Sequence, residues 1–155
     1  MKNAVIGFPR VGKLRELKFA SEKYFRGEIS KTQLTETAKK IKAENWKCQK
    51  EQGIKYISSN DFSYYDGMLD TAVLLGVVPE CYKNLNRDAL DTYFAMARGY
   101  QANGLDVPAL AMKKWFNTNY HYLVPELEAD TQIKLVGDKP FEEYLEAKEL
   151  GIETK

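Results

Sequence analysis

Ala4-Val5-Ile6-Gly7-Phe8-Pro9-Arg10-Val11-Gly12-Lys13-Leu14 joins an apolar run to a basic loop punctuated by glycine. The run is short, partly β-branched and bounded by Pro9, which predicts a buried strand over Ala4–Phe8. Beyond the loop, Leu14, Leu17, Ala20 and Tyr24 recur at helical spacing, which predicts a helix from Leu14 to about Arg26 with Gly27 as its stop. Strand, loop, helix is the opening of a βα unit, and the rest of the chain reads as more of the same. Ser30-Lys31-Thr32-Gln33 is a capping-box pattern opening a long helix that ends at Gly53. Ile54–Ser58 is a second strand candidate. Helices are expected over Tyr64–Leu75, Ala89–Arg98 and Phe141–Leu150, closed by Gly76, Gly99 and Gly151. Gly104 and Pro108 mark a loop, and Leu110–Phe116 reads as a third strand that continues in extended form to Tyr122. Strands alternating with helices predict an α/β fold with a parallel sheet.

The chain has 155 residues, the size of one ordinary domain. Its 44% hydrophobic and 12% aromatic content fits a folded core and excludes a disordered chain. Lys and Arg number 23 against 22 Asp and Glu, which excludes a globally basic nucleic-acid binder. No apolar run approaches the roughly 18 residues of a membrane span, so neither nucleic acid nor membrane is an expected partner. Two cysteines, Cys48 and Cys81, are too few for a disulfide scaffold and lack zinc-ligand spacing. A reducing cytoplasm is the expected compartment. About three strands is a thin sheet for this much helix, and the chain stops where the next strand of a βα series would begin. The expectation is one incomplete domain belonging to something larger.

Gly7 to Leu14 nearly fits the phosphate-binding pattern GxxxxGK[ST] in its proper strand–loop–helix setting. Leu14 replaces the hydroxyl that would bind magnesium, and Pro9 removes an N–H from a loop that works through N–H groups. A nucleotide-hydrolysing loop is therefore not expected. The charge of the region survives that rejection: Arg10, Lys13, Arg15, Lys18 and Lys23 outnumber Glu16 and Glu22. Cations in the first turn of a helix oppose its dipole, and stability alone would choose Asp or Glu there. Two readings stand: an anion site at the carboxyl end of the first strand, where parallel α/β folds place ligands, or a solvated basic face.

Met112-Lys113-Lys114-Trp115-Phe116-Asn117-Thr118-Asn119-Tyr120-His121-Tyr122 gathers two lysines, two amides, four aromatics and the single histidine. Aromatics beside amides and cations suit a planar heterocycle. The alternative is that Trp115 and Phe116 are core and His121 is a satisfied structural histidine. Asn60-Asp61-Phe62-Ser63-Tyr64-Tyr65-Asp66 follows the second strand and suits a site loop, but Asp61 or Ser63 could equally cap the next helix.

Gly7-Phe8-Pro9-Arg10-Val11-Gly12, Arg15-Glu16-Leu17-Lys18, Asp61-Phe62-Ser63-Tyr64-Tyr65-Asp66, Asp91-Thr92-Tyr93-Phe94 and Lys114 through Glu126 (KWFNTNYHYLVPE) occur together and in that order. In this the chain resembles the beginning of the cobalamin-independent methionine synthase family, the 5-methyltetrahydropteroyltriglutamate–homocysteine methyltransferases, from Ile6 to Gly151. The resemblance implies an α/β fold: a partial (β/α)8 TIM-barrel-like segment with parallel strands and covering helices, residues 1–155 being part of the amino-terminal barrel. It implies that Arg15, Glu16, Leu17, Lys18 and Lys114 contact the polyglutamyl folate. The glutamate tail is a polyanion, which agrees with the charge argument for Arg15 and Lys18. It implies methyl transfer from 5-methyltetrahydropteroyltri-L-glutamate to homocysteine, with zinc held by the family's carboxy-terminal barrel and not by this chain. No catalytic residue and no metal ligand is expected among residues 1–155. The implied partners are the folate and the remainder of the synthase. Unpaired strand edges and uncovered apolar faces predict self-association of the chain by itself. An alternative is a non-catalytic anion-binding or interaction module derived from the same barrel.

Overall fold

The structure is a computed structural model that describes residues 2–155. In chain order its elements are α1 (Glu16–Phe25), α2 (Lys31–Glu51), α3 (Gly67–Leu74), α4 (Glu80–Lys83), α5 (Ala89–Arg98), β1 (Tyr100–Ala102), β2 (Leu105–Val107), β3 (Met112–Lys114), β4 (His121–Leu123) and α6 (Lys139–Glu149). They fall into two compact units. The segment through Tyr64 together with Lys139–Lys155 forms one, and Tyr65–Asp138 forms the other.

The first unit is built on α2. Ser30 lies in extended backbone, and its Oγ accepts from the Gln33 N–H at 3.2 Å while Gln33 Oε1 accepts from the Ser30 N–H at 2.8 Å. The capping box thus forms as its four-residue spacing predicts. Helix α1 packs on α2, burying Leu17, Ala20, Leu34, Ala38 and Ile41. Further along, Trp46 of α2 meets Ile57, Ala147 of α6 and Ile152 in a second apolar cluster. Trp46 also donates its indole N–H to the Ser58 carbonyl at 3.1 Å, which satisfies the one polar atom this large side chain carries inward.

The expected parallel sheet is not formed. The described residues contain no parallel strand; what remains are two isolated parallel bridges, Ala4 with Tyr56 and Ile57 with Thr154. Backbone bonds from Tyr56 N–H to Asn3 O (3.0 Å) and from Lys155 N–H to Ile57 O (2.8 Å) accompany them. The run Ala4–Phe8 is also not buried, since Ile6 is fully solvent-exposed (103% relative exposure). An apolar run is buried only where something covers both of its faces, and nothing in this unit covers Ile6.

In the second unit α3 packs against α5 and β4 around buried Leu69, Ala72, Tyr93, Met96 and Leu123. All of its strand pairing is antiparallel, in two hairpins: β1 with β2 and β3 with β4. The expected third strand over Leu110–Phe116 is therefore corrected to a hairpin that reverses between Lys114 and His121. The turn contains no glycine or proline; Phe116 itself takes positive φ (47°), and the Thr118 hydroxyl donates to Trp115 O at 2.6 Å. The helix expected over Tyr64–Leu75 starts later, and neither Asp61 nor Ser63 caps it. Asp66 does, from extended backbone, accepting the Leu69 N–H at 3.1 Å. The β1–β2 hairpin turns on Asn103-Gly104, a recognised hairpin dipeptide. Gly99 precedes it at φ 79°, and a Cβ there would lie 2.9 Å from Val107 O, so only glycine fits between helix and returning strand.

Candidate functional site

The basic loop and the first turn of α1 are organised by carboxylates. Asp61 Oδ2 accepts the Phe8 N–H at 3.0 Å and the Ser58 hydroxyl at 2.9 Å. Arg10 is turned inward and donates to Ser63 O at 3.3 Å, and Asn45 donates to Pro9 O at 3.1 Å. Arg10 thus serves loop structure. Glu16 folds back so that its Oε2 accepts the Leu14 N–H at 2.9 Å. This contact ties down a loop N–H ahead of the helix. Gly12, at φ 84°, leaves the room for it, because a Cβ there would stand 2.1 Å from the same oxygen. This arrangement also explains why the loop is no phosphate cradle: two of its N–H groups already face side-chain carboxylates.

Arg15 is the N-cap of α1 in left-handed backbone (φ 64°), and α1 has no side-chain cap. Its guanidinium is exposed and makes no hydrogen bond or ion pair among the described residues, and the same holds for the Lys13 ammonium. Lys18 pairs with Glu22 at 3.6 Å, both side chains being nearly half exposed. Such a pair is weak and gives way readily to a stronger anion. Leu17 differs from its neighbours: at 2% exposure its side chain belongs to the α1–α2 core, and it fixes the helix on which Arg15 and Lys18 sit. Exposed cations at a helix N-terminus offer charge, oriented donors and a favourable dipole to an anion.

Lys114 lies in the second unit, at the end of β3, exposed and paired in register with His121. Trp115 and Phe116 are not core. Phe116 is 83% exposed and Trp115 41%, with Trp115 set edge-on against Phe116 at 5.2 Å and against Tyr122 at 5.5 Å. His121 is exposed and its Nδ1 lies 3.1 Å from Asn119 O. A carbonyl can only accept, so Nδ1 carries the proton, and the ring serves its own hairpin.

Two features escape a reading of the sequence. Asp66 is buried, with Oδ1 accepting from the Tyr120 hydroxyl and Oδ2 from the Leu123 N–H at 3.1 Å, so one carboxylate ties α3 to the aromatic hairpin. Tyr93 accepts the N–H groups of Tyr65 and Asp66, both at 3.1 Å, and burial pushes its phenol far above the ordinary value, keeping it neutral. Nothing but an acidic residue late in a candidate loop signals the first, and nothing signals the second. A cleft of about 400 Å³ in the same unit is lined by Glu80, Glu126, Glu128 and Asp130 against Lys83, a charge balance unsuited to a polyanion.

Neither cysteine stands among further metal-ligating side chains. Cys48 is half-buried in α2, Cys81 is exposed in α4, and among the described residues no three His, Cys, Asp or Glu side chains gather as ligands. No helix among them is long and apolar enough to cross a membrane.

The described residues thus present an uncapped helix entry carrying exposed cations in one unit and an exposed aromatic hairpin in the other. The chain belongs to the cobalamin-independent synthase family; the profile of that family's N-terminal domain matches residues 2–155. It is 63% identical over 155 residues to a 5-methyltetrahydropteroyltriglutamate–homocysteine methyltransferase of Campylobacter jejuni subsp. doylei, a match taking in 100% of this chain and 21% of that protein. A protein of the same name from Campylobacter jejuni subsp. jejuni is 60% identical and one from Streptococcus thermophilus 57%, with the same coverage. The chain spans about a fifth of the length of these relatives.

Proposed function

We propose that the chain supplies part of the polyglutamyl-folate site of a cobalamin-independent methionine synthase, with Arg15 and Lys18 meeting glutamate carboxylates; for Lys114, on the aromatic hairpin, a folate contact is proposed on the family resemblance alone. The reading is supported by the family membership and carried by one observation: Arg15, at the uncapped N-terminus of α1, has an exposed guanidinium with no partner among the described residues. Glu16 and Leu17 act in this reading as scaffold, the first holding the Leu14 N–H and the second anchoring α1. The methyl transfer belongs to the whole enzyme. A homocysteine thiolate attacks the methyl carbon, the N5–carbon bond breaks, and N5 keeps the electron pair and takes up a proton. This chain binds and orients the donor and supplies no nucleophile, acid or base to that step. We assign it to the cytoplasm with the rest of that chemistry.

Calorimetric titration with methyltetrahydropteroyl triglutamate and monoglutamate tests the reading. Binding is expected to strengthen with glutamate count. Replacing both cations, Arg15→Ala with Lys18→Ala, is expected to weaken the triglutamate by about 2–4 kcal/mol, since each charge-assisted hydrogen bond removed costs about 1–2 kcal/mol. Equal affinity for both ligands, or an unaffected double variant, rejects it.

The two isolated parallel bridges, with helices between the segments they join, are the start of the (β/α)8 barrel in this reading. The remainder of the synthase would cover the apolar side chains now in solvent, among them Ile6, Leu14 and Phe19. By itself the chain is then expected to self-associate at high concentration. Light scattering that returns a single monomer mass there rejects that expectation.

A further inference from the structure

Between the second strand candidate and α6 runs a set of polar contacts that the folate reading leaves unused. Glu143 of α6 is buried, and its Oε2 accepts the Asn60 N–H at 2.8 Å. Lys139 binds both ends of the same contact, at 3.3 Å from Glu143 Oε1 and 2.8 Å from Asn60 Oδ1. Asn60 stands at φ 65°, in left-handed backbone that an asparagine tolerates and that these contacts hold. The residue thereby aimed is Asp61. Its carboxylate takes the Phe8 N–H and the Ser58 hydroxyl, so Asp61 fixes where the Gly7–Gly12 loop departs. The loop then delivers its own constraint to α1, since the Val11 carbonyl accepts the Leu17 N–H at 3.1 Å and the Gly12 carbonyl the Arg15 N–H at 3.3 Å. These hydrogen bonds, joined by the short backbone stretches Asn60–Asp61 and Phe8–Gly12, lead from Glu143 to the backbone N–H of Arg15.

We infer that Asp61, held by Glu143 through the Asn60 backbone, is a positioning residue for the Arg15–Lys18 anion site. The inference rests on the polyglutamate reading of that site. Neither carboxylate touches the ligand; like charges there would repel it. They act by setting the loop from which Arg15 is presented, so that its guanidinium needs no reordering when a glutamate tail arrives.

The test compares triglutamate with monoglutamate binding in wild type, Asp61→Leu, Asp61→Asn and Glu143→Leu, with amide exchange read at Phe8. Asp61→Leu removes the acceptor while keeping the branching of the side chain, and Asp61→Asn is the volume-matched control. Asp61→Leu is expected to weaken triglutamate binding roughly tenfold, to leave the monoglutamate nearly unchanged, and to deprotect the Phe8 amide. Asp61→Asn keeps an oxygen for Phe8 and is expected to retain both affinity and protection. Glu143→Leu leaves Asp61 in place, so it serves should Asp61→Leu fail to melt cooperatively, and is expected to shift both readouts the same way by less. A merely structural role would weaken both ligands together. Equal loss for the two ligands, or Asp61→Leu and Glu143→Leu that bind triglutamate as wild type does, overturns the inference while leaving the anion site standing. A wild-type chain that shows no preference for the triglutamate overturns the anion reading, and the positioning role with it.

Discussion

Asp66→Ala is expected to cost about 3–5 kcal/mol in urea denaturation, a large part of the roughly 5–15 kcal/mol that holds a typical domain together. The sum has identifiable parts. Losing the side-chain cap of α3 costs about 1 kcal/mol. The Leu123 N–H, buried on the return strand of the aromatic hairpin, is left without its carboxylate acceptor, and an orphaned buried donor costs about 1–3 kcal/mol. The Tyr120 hydroxyl loses a charge-assisted bond as well. Asp66→Asn should cost far less, about 1 kcal/mol. Leu69 and Leu123 both donate to Oδ2, so a single amide oxygen in that position keeps both bonds. The amide nitrogen then faces the Tyr120 hydroxyl, which can turn and accept. The contrast between the two variants separates the hydrogen bonds from the charge. A cost below about 1 kcal/mol for Asp66→Ala would mean that α3 and the hairpin are held together by apolar packing alone.

Asp66 also shows where sequence reading stops. The stretch Asn60 to Asp66 reads as offering Asp61 or Ser63 as the cap of a helix from Tyr64, which places Asp66 inside that helix instead of at its entry. Choosing among them needs the backbone: Asp66 is extended at φ −148° directly before the first turn, whereas Asp61 is turned toward Phe8, a residue 53 positions away. The capping box at Ser30 is legible because both partners lie within four residues. The glycine stops at Gly27, Gly53, Gly99 and Gly151 are legible for the same local reason, and all four have positive φ. The β3–β4 hairpin is not. Lys114 through Tyr122 carries no glycine or proline, and its reversal rests on a phenylalanine in a conformation that side chain rarely takes. The Asn103-Gly104 hairpin, by contrast, is readable from its dipeptide.

For the candidate site the division is similar. An excess of cations at a helix entry is visible as composition, and Arg15 and Lys18 do project from one exposed turn of α1. That Glu16 serves the Leu14 N–H, that Arg10 serves carbonyls, and that Leu17 is core are matters of direction. Spacing places these residues together without saying which of them faces solvent. The parallel sheet fails for a different reason: pattern gives a strand its apolar residues, and pairing requires neighbours, which Ala4–Phe8 meets here only at a single bridge.

Lys42→Met should be the most damaging change in the first unit, costing about 3–5 kcal/mol at neutral pH. Lys42 is buried, with Nζ 2.5 Å from Glu146 Oε2 and 3.8 Å from Glu143 Oε1, and it lies over the Phe62 ring at 5.8 Å. Methionine fills the space of the stem but takes the cation from Glu146 and leaves Glu143 with Lys139, 3.3 Å away. Burial already pushes the Glu143 carboxyl above its ordinary value of 4.5, against the pull of Lys139 and Lys42. A carboxyl raised in the folded state binds protons more tightly there than in the unfolded chain. Its contribution to stability is therefore full below the unfolded value and is lost as pH rises through the folded one. Removing Lys42 takes away one of the two opposing cations and moves that loss to higher pH. The cost of Lys42→Met should accordingly shrink as pH falls from about 7.5 to about 5, because the variant can relieve its uncompensated carboxylate by taking up a proton. Lys42→Met with Glu143→Gln should recover part of the stability at the higher pH and show less pH dependence, since the amide still offers an oxygen to the Asn60 N–H. Denaturant midpoints for wild type and both variants at the two pH values decide the matter. A cost that does not change with pH would assign the damage to weaker packing against Phe62 and Trp46, with no share for the buried charge.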